Sequence, residues 1–425
     1  IEPFHHEALD VLMALCAGQP LRSNSRPRLT QQEFYLKTEE QVRSFFARHY
    51  ASEIDAWLAN TIHFANQCDN DPAWVLPSFT NDLGTELPDF PVEKQPDYAE
   101  FLAWKEKYQN STEIPTPFQF NETHKIDGIY LRFTCWKEFP LRLPYVTEEK
   151  IPEYYNQLVE EISVFEYRNI VSYMLIVGDY TNHCRINQVP VGLGRGSVGG
   201  SLVAFLLNIH QADPIKYELI FERFYNREKK DFSDIDQDFS QAGKGFVENY
   251  IAEKYGRENC CQISNFLTLT SKPYVKAIAR VFQYGNDRKK QVEIGNELAS
   301  FIPADEGFKD VEKAMQIPIL QEFSKKYPEL AKFASILNGR KIALAKHAGG
   351  YCISRRPLHE IVPVRRDRDG KLVIEYEKDR TEKHGLQKMD ILGISNLDII
   401  DAVLKLVKAR GKDFGNLDDY TDAKT

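Results

Sequence analysis

The residues with the clearest capacity for chemistry are three aspartates, Asp234, Asp236 and Asp238, which occupy every second position of the segment SDIDQDF. In a β-strand such a spacing places all three side chains on one face. Neighbouring carboxylates repel one another unless protons or cations neutralise them, and hard divalent ions such as Mg²⁺ prefer oxygen ligands. Asp390 is the best candidate for a further ligand, because a charge in the otherwise apolar segment KMDILG needs a partner. The alternative is an acidic strand or turn that is simply solvated.

A glycine-rich segment, GLGRGSVGGS at residues 192–201, precedes the aspartates. It follows the β-branched VPV and leads into the apolar SLVAFLLNI, a pattern that predicts a strand, a turn and a helix. Backbone N–H groups of such a turn and of the helix amino terminus can converge on a phosphate. Arg195 could add a bidentate contact, and Ser197 and Ser201 could donate from their hydroxyls. A tight turn that needs glycines only for packing is the alternative.

The same segment also matches the dinucleotide-binding pattern GxGxxG, at Gly194, Gly196 and Gly199. An acidic residue that could bind a ribose follows at Asp213 or Glu218. The match alone is weak, and no regular alternation of strands and helices follows it. A dinucleotide-dependent oxidoreductase therefore stays open as the second hypothesis.

Composition describes an ordinary globular chain of 425 residues, 42% apolar and 27% charged, long enough for two or three domains. The net charge of −8 argues against a nonspecific polycation, yet residues 272–290 are locally basic. Six cations lie there against the single acid Asp287: Lys272, Lys276, Arg280, Arg288, Lys289 and Lys290. This cluster fits backbone contact with nucleic acid, and a solvated helix face is the alternative.

Seven scattered cysteines without a CxxC pair favour reduced thiols in a cytosol-like compartment, and no apolar run is long enough to span a bilayer.

Coarse periodicity divides the chain further. Residues 6–70 predict helices, and residues 69–127, which begin with a segment dense in Pro, Asp and Gly, predict a connector. Two helices are expected between residues 151 and 187, interrupted near Arg168, and mostly helices between 243 and 340. Strand-like segments follow at GGYCIS, KLVIEYE and GLQKMDILG, before a helix at about 395–410.

Four of these stretches together resemble the alpha subunit of bacterial replicative DNA polymerase III, the C family of DNA polymerases. VPVGLGRGSVGGSLVAF is similar to the family's GPGRGSxxGSLVA, and FERFYNREKKDFSDIDQDF to FERFLNPxRxxxPDxDxDF. HAGGYCIS is similar to HAxGVVI, and GLQKMDILGISNLDII to GLxKxDxLGLxxLxxI. The stretches occur in the family's order, and weaker likeness extends over nearly the whole chain.

The resemblance implies an α/β (α+β) fold with a nucleotidyltransferase palm like that of DNA polymerase beta, a mixed sheet flanked by helices, and a mostly helical thumb. It implies domains at 1–85 (end of a phosphoesterase-like domain and connector), 86–266 and 344–395 (palm), 267–343 (thumb) and 396–425 (start of the fingers). Most of the phosphoesterase-like domain, the rest of the fingers and the clamp-binding part are expected to lie outside this chain. Leu193 and Ser233 replace family prolines. The segment between Arg280 and Ala345 is compact and matches the family poorly, so a reduced or reshaped thumb is expected, as in a divergent, phage- or plasmid-encoded member.

The resemblance also implies the chemistry, which is template-dependent transfer of a nucleotide from a dNTP to a primer 3′-hydroxyl with two Mg²⁺ ions, Mn²⁺ being the alternative. The family's catalytic, metal-binding aspartates fall on Asp236, Asp238 and Asp390, with Asp234 supporting them. Its triphosphate-binding residues fall on Gly194, Arg195, Gly196, Ser197 and Lys388, and its DNA-binding thumb residues on Lys272, Lys276 and Arg280. His347 is expected to be structural. Primer-template DNA, a sliding clamp and other replisome subunits are the implied partners, in a bacterial cytoplasm, and a polymerase-like DNA-binding scaffold without catalysis is the third hypothesis.

Overall fold

The computed structural model describes residues 4–29, 37–67, 86–228 and 233–411. Helices account for about half of this part of the chain. In chain order they are α1 (Phe4–Ala17), α2 (Glu39–Tyr50), α3 (Ile54–Gln67), α4 (Tyr98–Tyr108), α5 (Ile126–Arg142), α6 (Ile151–Tyr167), α7 (Val171–Ile186), α8 (Leu202–Leu206), α9 (Gln241–Tyr255), α10 (Ser271–Val281), α11 (Arg288–Ser300), α12 (Val311–Ala314), α13 (Pro318–Lys326), α14 (Glu329–Lys332), α15 (Ala334–Leu337), α16 (Lys378–Lys383) and α17 (Ser395–Ala409).

Six strands form one mixed sheet: β1 (Asp236–Phe239), β2 (Cys260–Thr268), β3 (Lys341–Ile353), β4 (Val364–Arg366), β5 (Leu372–Ile374) and β6 (Lys388–Gly393). Their order across the sheet is β1-β6-β3-β2-β5-β4. Strand β6 runs parallel to β1 and antiparallel to β3, and β5 is parallel to β2 and antiparallel to β4. The prediction of an α/β fold with a mixed sheet and flanking helices is therefore confirmed.

The chain divides into two compact units, Ile1–Ser78 with Phe266–Ala345, and Phe79–Asn265 with Lys346–Thr425. The second unit has the larger core. Helix α7 carries apolar residues on every side and is buried nearly throughout, as expected for a helix enclosed by its neighbours. Helix α9 packs on β6 and β1, and its Val247 and Ile251 share a core with Met389 and Ile391 of β6.

The first unit is built around α10, which contacts both α1 and α11. The buried face of α10 carries Tyr274, Val275 and Ile278, which pack with Val11 of α1 and Leu298 of α11. Charged residues recur every four positions in SKPYVKAIARV with apolar residues between them, and this spacing accounts for the amphipathic helix. Within the described ranges, no helix is long and apolar enough to cross a membrane.

Four local expectations differ from the structure. Helix α4 lies inside the predicted connector, because Phe101 and Trp104 give it a buried face that the surrounding prolines obscured; residues 68–85 of that connector lie outside the described part. Strand β2 interrupts the region predicted as mostly helical. The predicted strand before the glycine segment is only a single bridge between Val191 and Phe239. The predicted helix after the glycine segment, α8, has five residues.

Candidate active site

Strands β1 and β6 bring the predicted carboxylates together. Asp236 and Asp390 are register partners in the parallel pair β1–β6, so their side chains leave the same face of the sheet. Asp238 lies two residues along β1 on that face, while Gln237 and Phe239 on the opposite face are fully buried. The period-two prediction is thus confirmed for Asp236 and Asp238. Asp234 precedes the strand, so the alternation of β1 does not fix the face of its side chain.

Arg195 lies directly on the two β1 carboxylates. Its Nη1 is 2.9 Å from Oδ2 of Asp236, and its Nε is 3.0 Å from Oδ2 of Asp238. Burial raises the pKa of Asp236, and the nearby charge of Asp390 raises this pKa further, whereas Arg195 and Lys388 lower it. The residue predicted to bind a triphosphate is therefore bonded to both carboxylates of β1.

Lys388 performs the equivalent role for the third carboxylate. Its Nζ lies 2.5 Å from Oδ2 of Asp390 and 3.0 Å from Oδ2 of Asp234, and the side chains of Lys388 and Asp390 are almost completely buried. The half-exposed Lys378 of α16 contacts the same Asp234 oxygen at 2.9 Å. Asp234 thus bridges two lysines, and its contact with Lys388 agrees with the supporting role expected of it.

The glycine segment passes over these carboxylates. Gly192 donates its backbone N–H to the carbonyl of Asp238 at 2.8 Å, and Gly196 faces Oδ2 of Asp236. Gly194 has a φ of +100°, and a Cβ there would lie 2.3 Å from Cβ of His210, so both its conformation and its surroundings require glycine. A single 3-10 turn, Ser197–Gly200, then leads to α8. The segment is held against the sheet edge that carries the aspartates.

One sequence expectation about this segment is wrong. The N–H groups of Leu202 and Val203 at the start of α8, and the hydroxyl of Ser201, all donate to the buried carboxylate of Glu161. The helix amino terminus and Ser201 are therefore already occupied and do not face a phosphate. Glu161 was not among the predicted site residues, because the sequence does not distinguish it from the exposed Glu160 beside it on α6.

The carboxylates also have the chemistry of a divalent-cation site. Oδ1 of Asp238 is buried and, among the residues described, finds no hydrogen-bond partner, as an oxygen reserved for a ligand would. In the present arrangement, however, no group of three or more His, Cys, Asp or Glu side chains in the described ranges is placed to hold a metal ion. Arg195 and Lys388 instead pair with one oxygen of each of the three carboxylates. Asp236, Asp238 and Asp390 are the residues that could hold the ion once these pairs open.

Residues 129–393 match the family model described as the bacterial DNA polymerase III alpha NTPase domain. The chain belongs to this family. It is 32% identical over 427 residues to the DNA polymerase III subunit alpha of Thermus aquaticus, a match that covers 94% of this chain and 34% of the relative. The alpha subunits of Campylobacter jejuni and Escherichia coli K12 are each 30% identical and cover 95% and 96% of this chain, which covers 32% of each. The chain thus spans about a third of the length of these relatives.

The predicted DNA-binding residues of this polymerase III alpha family member lie in the other unit. Lys276 and Arg280 are exposed on α10 and Lys272 is partly exposed, and the three follow one another at intervals of four residues on the helix face opposite its buried residues. This stripe is sterically open to a partner. Whether it binds DNA stays a prediction.

His347 and the cysteines complete the comparison with the sequence. Nδ1 of His347 accepts the backbone N–H groups of Gly349 at 3.2 Å and Gly350 at 2.7 Å, and burial lowers the pKa of this imidazole. These backbone contacts agree with the structural role expected of His347. The cysteines within the described part carry free thiols, five of them buried.

Proposed function

We propose that the chain forms the catalytic centre of a replicative DNA polymerase, which transfers a nucleotide from a dNTP to a primer 3′-hydroxyl under the direction of a template. The observation that carries this proposal is the register pairing of Asp236 with Asp390, beside Asp238 and beneath a glycine segment. Membership of the polymerase III alpha family supports the nucleotidyltransferase class. Because the chain spans about a third of its relatives, the activity of the whole protein is part of the proposal.

Asp236, Asp238 and Asp390 would hold Mg²⁺, or Mn²⁺ in its place. When bound, the metal ions activate the primer hydroxyl and stabilise the departing pyrophosphate. The Oδ2 atoms of Asp236 and Asp238 would become available to the metal when Arg195 leaves them. The β- and γ-phosphates of the nucleotide would then offer the guanidinium of Arg195 a bidentate partner. Gly194, Gly196 and Ser197 would present N–H and O–H donors to the same phosphates.

Lys388 would supply a fixed positive charge next to the reacting phosphate, since it shares the face of β6 with Asp390. Asp234 would keep the Lys388 ammonium in place from the other side. The site thus combines one half-exposed cation, Arg195, with one that is buried between two carboxylates, Lys388.

The stripe of Lys272, Lys276 and Arg280 would contact the primer-template backbone, which needs charge rather than base recognition. We assign residues 86–266 and 344–395 to the palm and 267–343 to the thumb, between the end of a phosphoesterase-like domain (1–85) and the start of the fingers (396–425). A sliding clamp and other replisome subunits would bind through further parts of the protein, in the bacterial cytoplasm.

The oxidoreductase hypothesis gains no support from the geometry. A dinucleotide-binding unit needs a strand, a tight glycine turn and a free helix amino terminus. Here the strand is a single bridge at Val191, and the amino-terminal N–H groups of the five-residue α8 are bonded to Glu161. The hypothesis of a non-catalytic scaffold does not explain why three carboxylates lie together beside the glycine segment.

Primer extension tests the proposal. The protein is incubated with a primed template, Mg²⁺ and four dNTPs, and wild type is compared with Asp236→Ala, Asp390→Ala and the control Asp369→Ala, which removes an exposed carboxylate of the β4–β5 turn. Extension that both site variants abolish and the control retains would support the proposal. Extension that survives loss of Asp236 or Asp390 would refute the assigned site, and DNA binding without extension by wild type would favour the scaffold.

A further inference from the structure

Glu161 is a carboxylate buried at the centre of helix packing. It lies on α6 and has no accessible surface. Its oxygens accept hydrogen bonds from Ser201 Oγ at 2.7 Å, Leu202 N at 2.8 Å, Val203 N at 2.9 Å and Gln157 Nε2 at 2.8 Å. Three of these four donors belong to the end of the glycine segment and the residues that immediately follow it.

The other end of the glycine segment is held through His210. Nε2 of His210 donates to the backbone carbonyl of Ser201 at 2.9 Å, which fixes the imidazole beside the residue that Glu161 binds. Cβ of the same histidine packs so closely against Gly194 that a side chain at that position would overlap it. Ser201, His210 and Gly194 therefore form a series of contacts that begins and ends on the segment, and Glu161 binds this series at Ser201.

This arrangement is costly for a carboxylate. The four donors of Glu161 are an amide, a hydroxyl and two backbone N–H groups, so none brings a positive charge. Burial raises the pKa of Glu161 to about 7, although the hydrogen bonds lower it in part. Helix α8 has only five residues, so its own stability does not explain why the carboxylate of Glu161 is buried. The position of the glycine segment, by contrast, affects the candidate active site.

We propose that Glu161 is a positioning residue for triphosphate binding: by anchoring Ser201, Leu202 and Val203, it fixes the glycine segment where Arg195 and the segment's N–H groups can receive the phosphates. This inference rests on the proposed function. The hydrogen bonds of Glu161 described above go to Gln157 and to Ser201–Val203, not to the carboxylates of β1. Glu161 acts through the backbone that it holds.

Asp213 provides a matched control in the same unit. It too is a buried carboxylate held by neutral donors, namely the hydroxyls of Tyr145 and Tyr154 at 2.7 Å each and the N–H groups of Ile215 and Lys216. None of its donors lies on the glycine segment. If Glu161 only stabilises the fold, substitutions of Glu161 and of Asp213 will have equal effects on dATP affinity.

The test is calorimetric titration of dATP in the presence of Mg²⁺ into wild type, Glu161→Gln, Glu161→Asp and Asp213→Asn, with DNA affinity and urea unfolding measured on each. We expect Glu161→Gln to weaken dATP binding about tenfold, because the amide cannot accept all four bonds, and to leave DNA affinity unchanged. Glu161→Asp keeps the charge and is expected to lie between wild type and Glu161→Gln. It also provides the comparison if the Gln variant does not fold. Asp213→Asn is expected to reduce stability alone.

Unchanged dATP affinity in both Glu161 variants would overturn the inference. So would an equal loss of dATP affinity in Asp213→Asn, or a parallel loss of DNA affinity in the Glu161 variants. Failure of wild type itself to bind dATP is a separate result: it would refute the proposed function and, with it, the role given to Glu161.

Discussion

Asp236 and Asp390 face each other across two parallel strands, although they are far apart in the chain. The register of β1 against β6 alone brings them together, so their proximity does not depend on side-chain rotamers. Each is paired with a cation, Asp236 with Arg195 and Asp390 with Lys388. The two pairs differ in burial, and this difference leads to different expectations for the two cations.

If the proposed function is correct, Arg195 competes with a metal ion for Asp236 and Asp238. Because its side chain is about 45% exposed, the two ion pairs are weak, and we expect Arg195→Ala to tighten Mn²⁺ binding by roughly threefold in the absence of nucleotide. The same change should weaken dATP binding, since it removes a phosphate ligand. Titration calorimetry with each ligand measures both effects, and Arg257→Ala, which removes an exposed arginine of the same unit, serves as control. Weaker Mn²⁺ binding by Arg195→Ala would show that the arginine does not occupy the metal site.

Lys388 and Lys378 contact the same oxygen of Asp234 but differ in burial, with about 5% and 41% of their side chains exposed. Lys388→Met leaves the buried Asp390 without its partner, and we expect it to lower the free energy of unfolding by about 3–5 kcal/mol. Lys378→Met removes a half-exposed pair and should cost less than about 1 kcal/mol. Urea unfolding at neutral pH measures both values. Equal costs for the two lysines would contradict the buried role of Lys388.

His210 makes stability dependent on acid. Burial lowers the pKa of this imidazole to about 4 from its ordinary value of 6.5; Arg142 lowers it further, while the hydrogen bonds that the ring donates to the backbone and the charge of Asp213 oppose the shift. Below pH 6.5 the imidazole therefore takes up a proton in the unfolded chain, whereas in the folded protein it does so only near pH 4. The free energy of unfolding decreases as the pH falls through this window. Between pH 7 and pH 5 this loss amounts to roughly 2 kcal/mol.

The variant His210→Gln keeps a donor for the Ser201 carbonyl but cannot titrate. Urea unfolding of wild type and variant at pH 7 and pH 5 should show that the variant loses less stability than wild type as the pH falls. Parallel pH profiles for the two proteins would mean that His210 is protonated in the folded state as readily as in the unfolded chain.

The stripe on α10 should contribute to DNA affinity through charge alone. Replacing Lys272, Lys276 and Arg280 with Gln is expected to reduce the slope of log affinity against log salt concentration by about 0.9 for each phosphate that the stripe no longer neutralises. Fluorescence anisotropy with a primed duplex measures this slope. A control of equal charge replaces three exposed lysines elsewhere in the same unit, Lys309, Lys313 and Lys325. Equal slopes for the stripe variant and the control would refute a specific role for the stripe.

The part of the site that follows strand periodicity could be predicted from the sequence. Alternation fixes the face of Asp236 and Asp238, and an acid in an apolar strand identifies Asp390. The rule does not extend to Asp234, because the strand begins two residues later, at Asp236. Strand β2 was missed because nine residues between two helices do not form a strand on their own and depend on pairing with distant partners.

The interactions that hold the glycine segment could not be predicted. Glu160 and Glu161 are identical in the sequence, and only the packing of α6 against α8 makes the second one buried. His210 follows the apolar helix α8, and nothing local indicates that its ring binds Ser201. Local rules identify residues that share a chemical property, whereas long-range packing determines which of them hold the others in place.

Metal binding tests the central claim most directly, because it asks whether carboxylates from β1 and β6 act as one site without requiring catalysis. Mn²⁺ is titrated into wild type, Asp236→Asn, Asp390→Asn and the control Asp369→Asn, and bound ion is followed by electron paramagnetic resonance. We expect wild type and control to bind Mn²⁺, and each site variant to lose most of this affinity on its own. Binding by either site variant that equals wild type would show that Asp236 and Asp390 do not share a metal site.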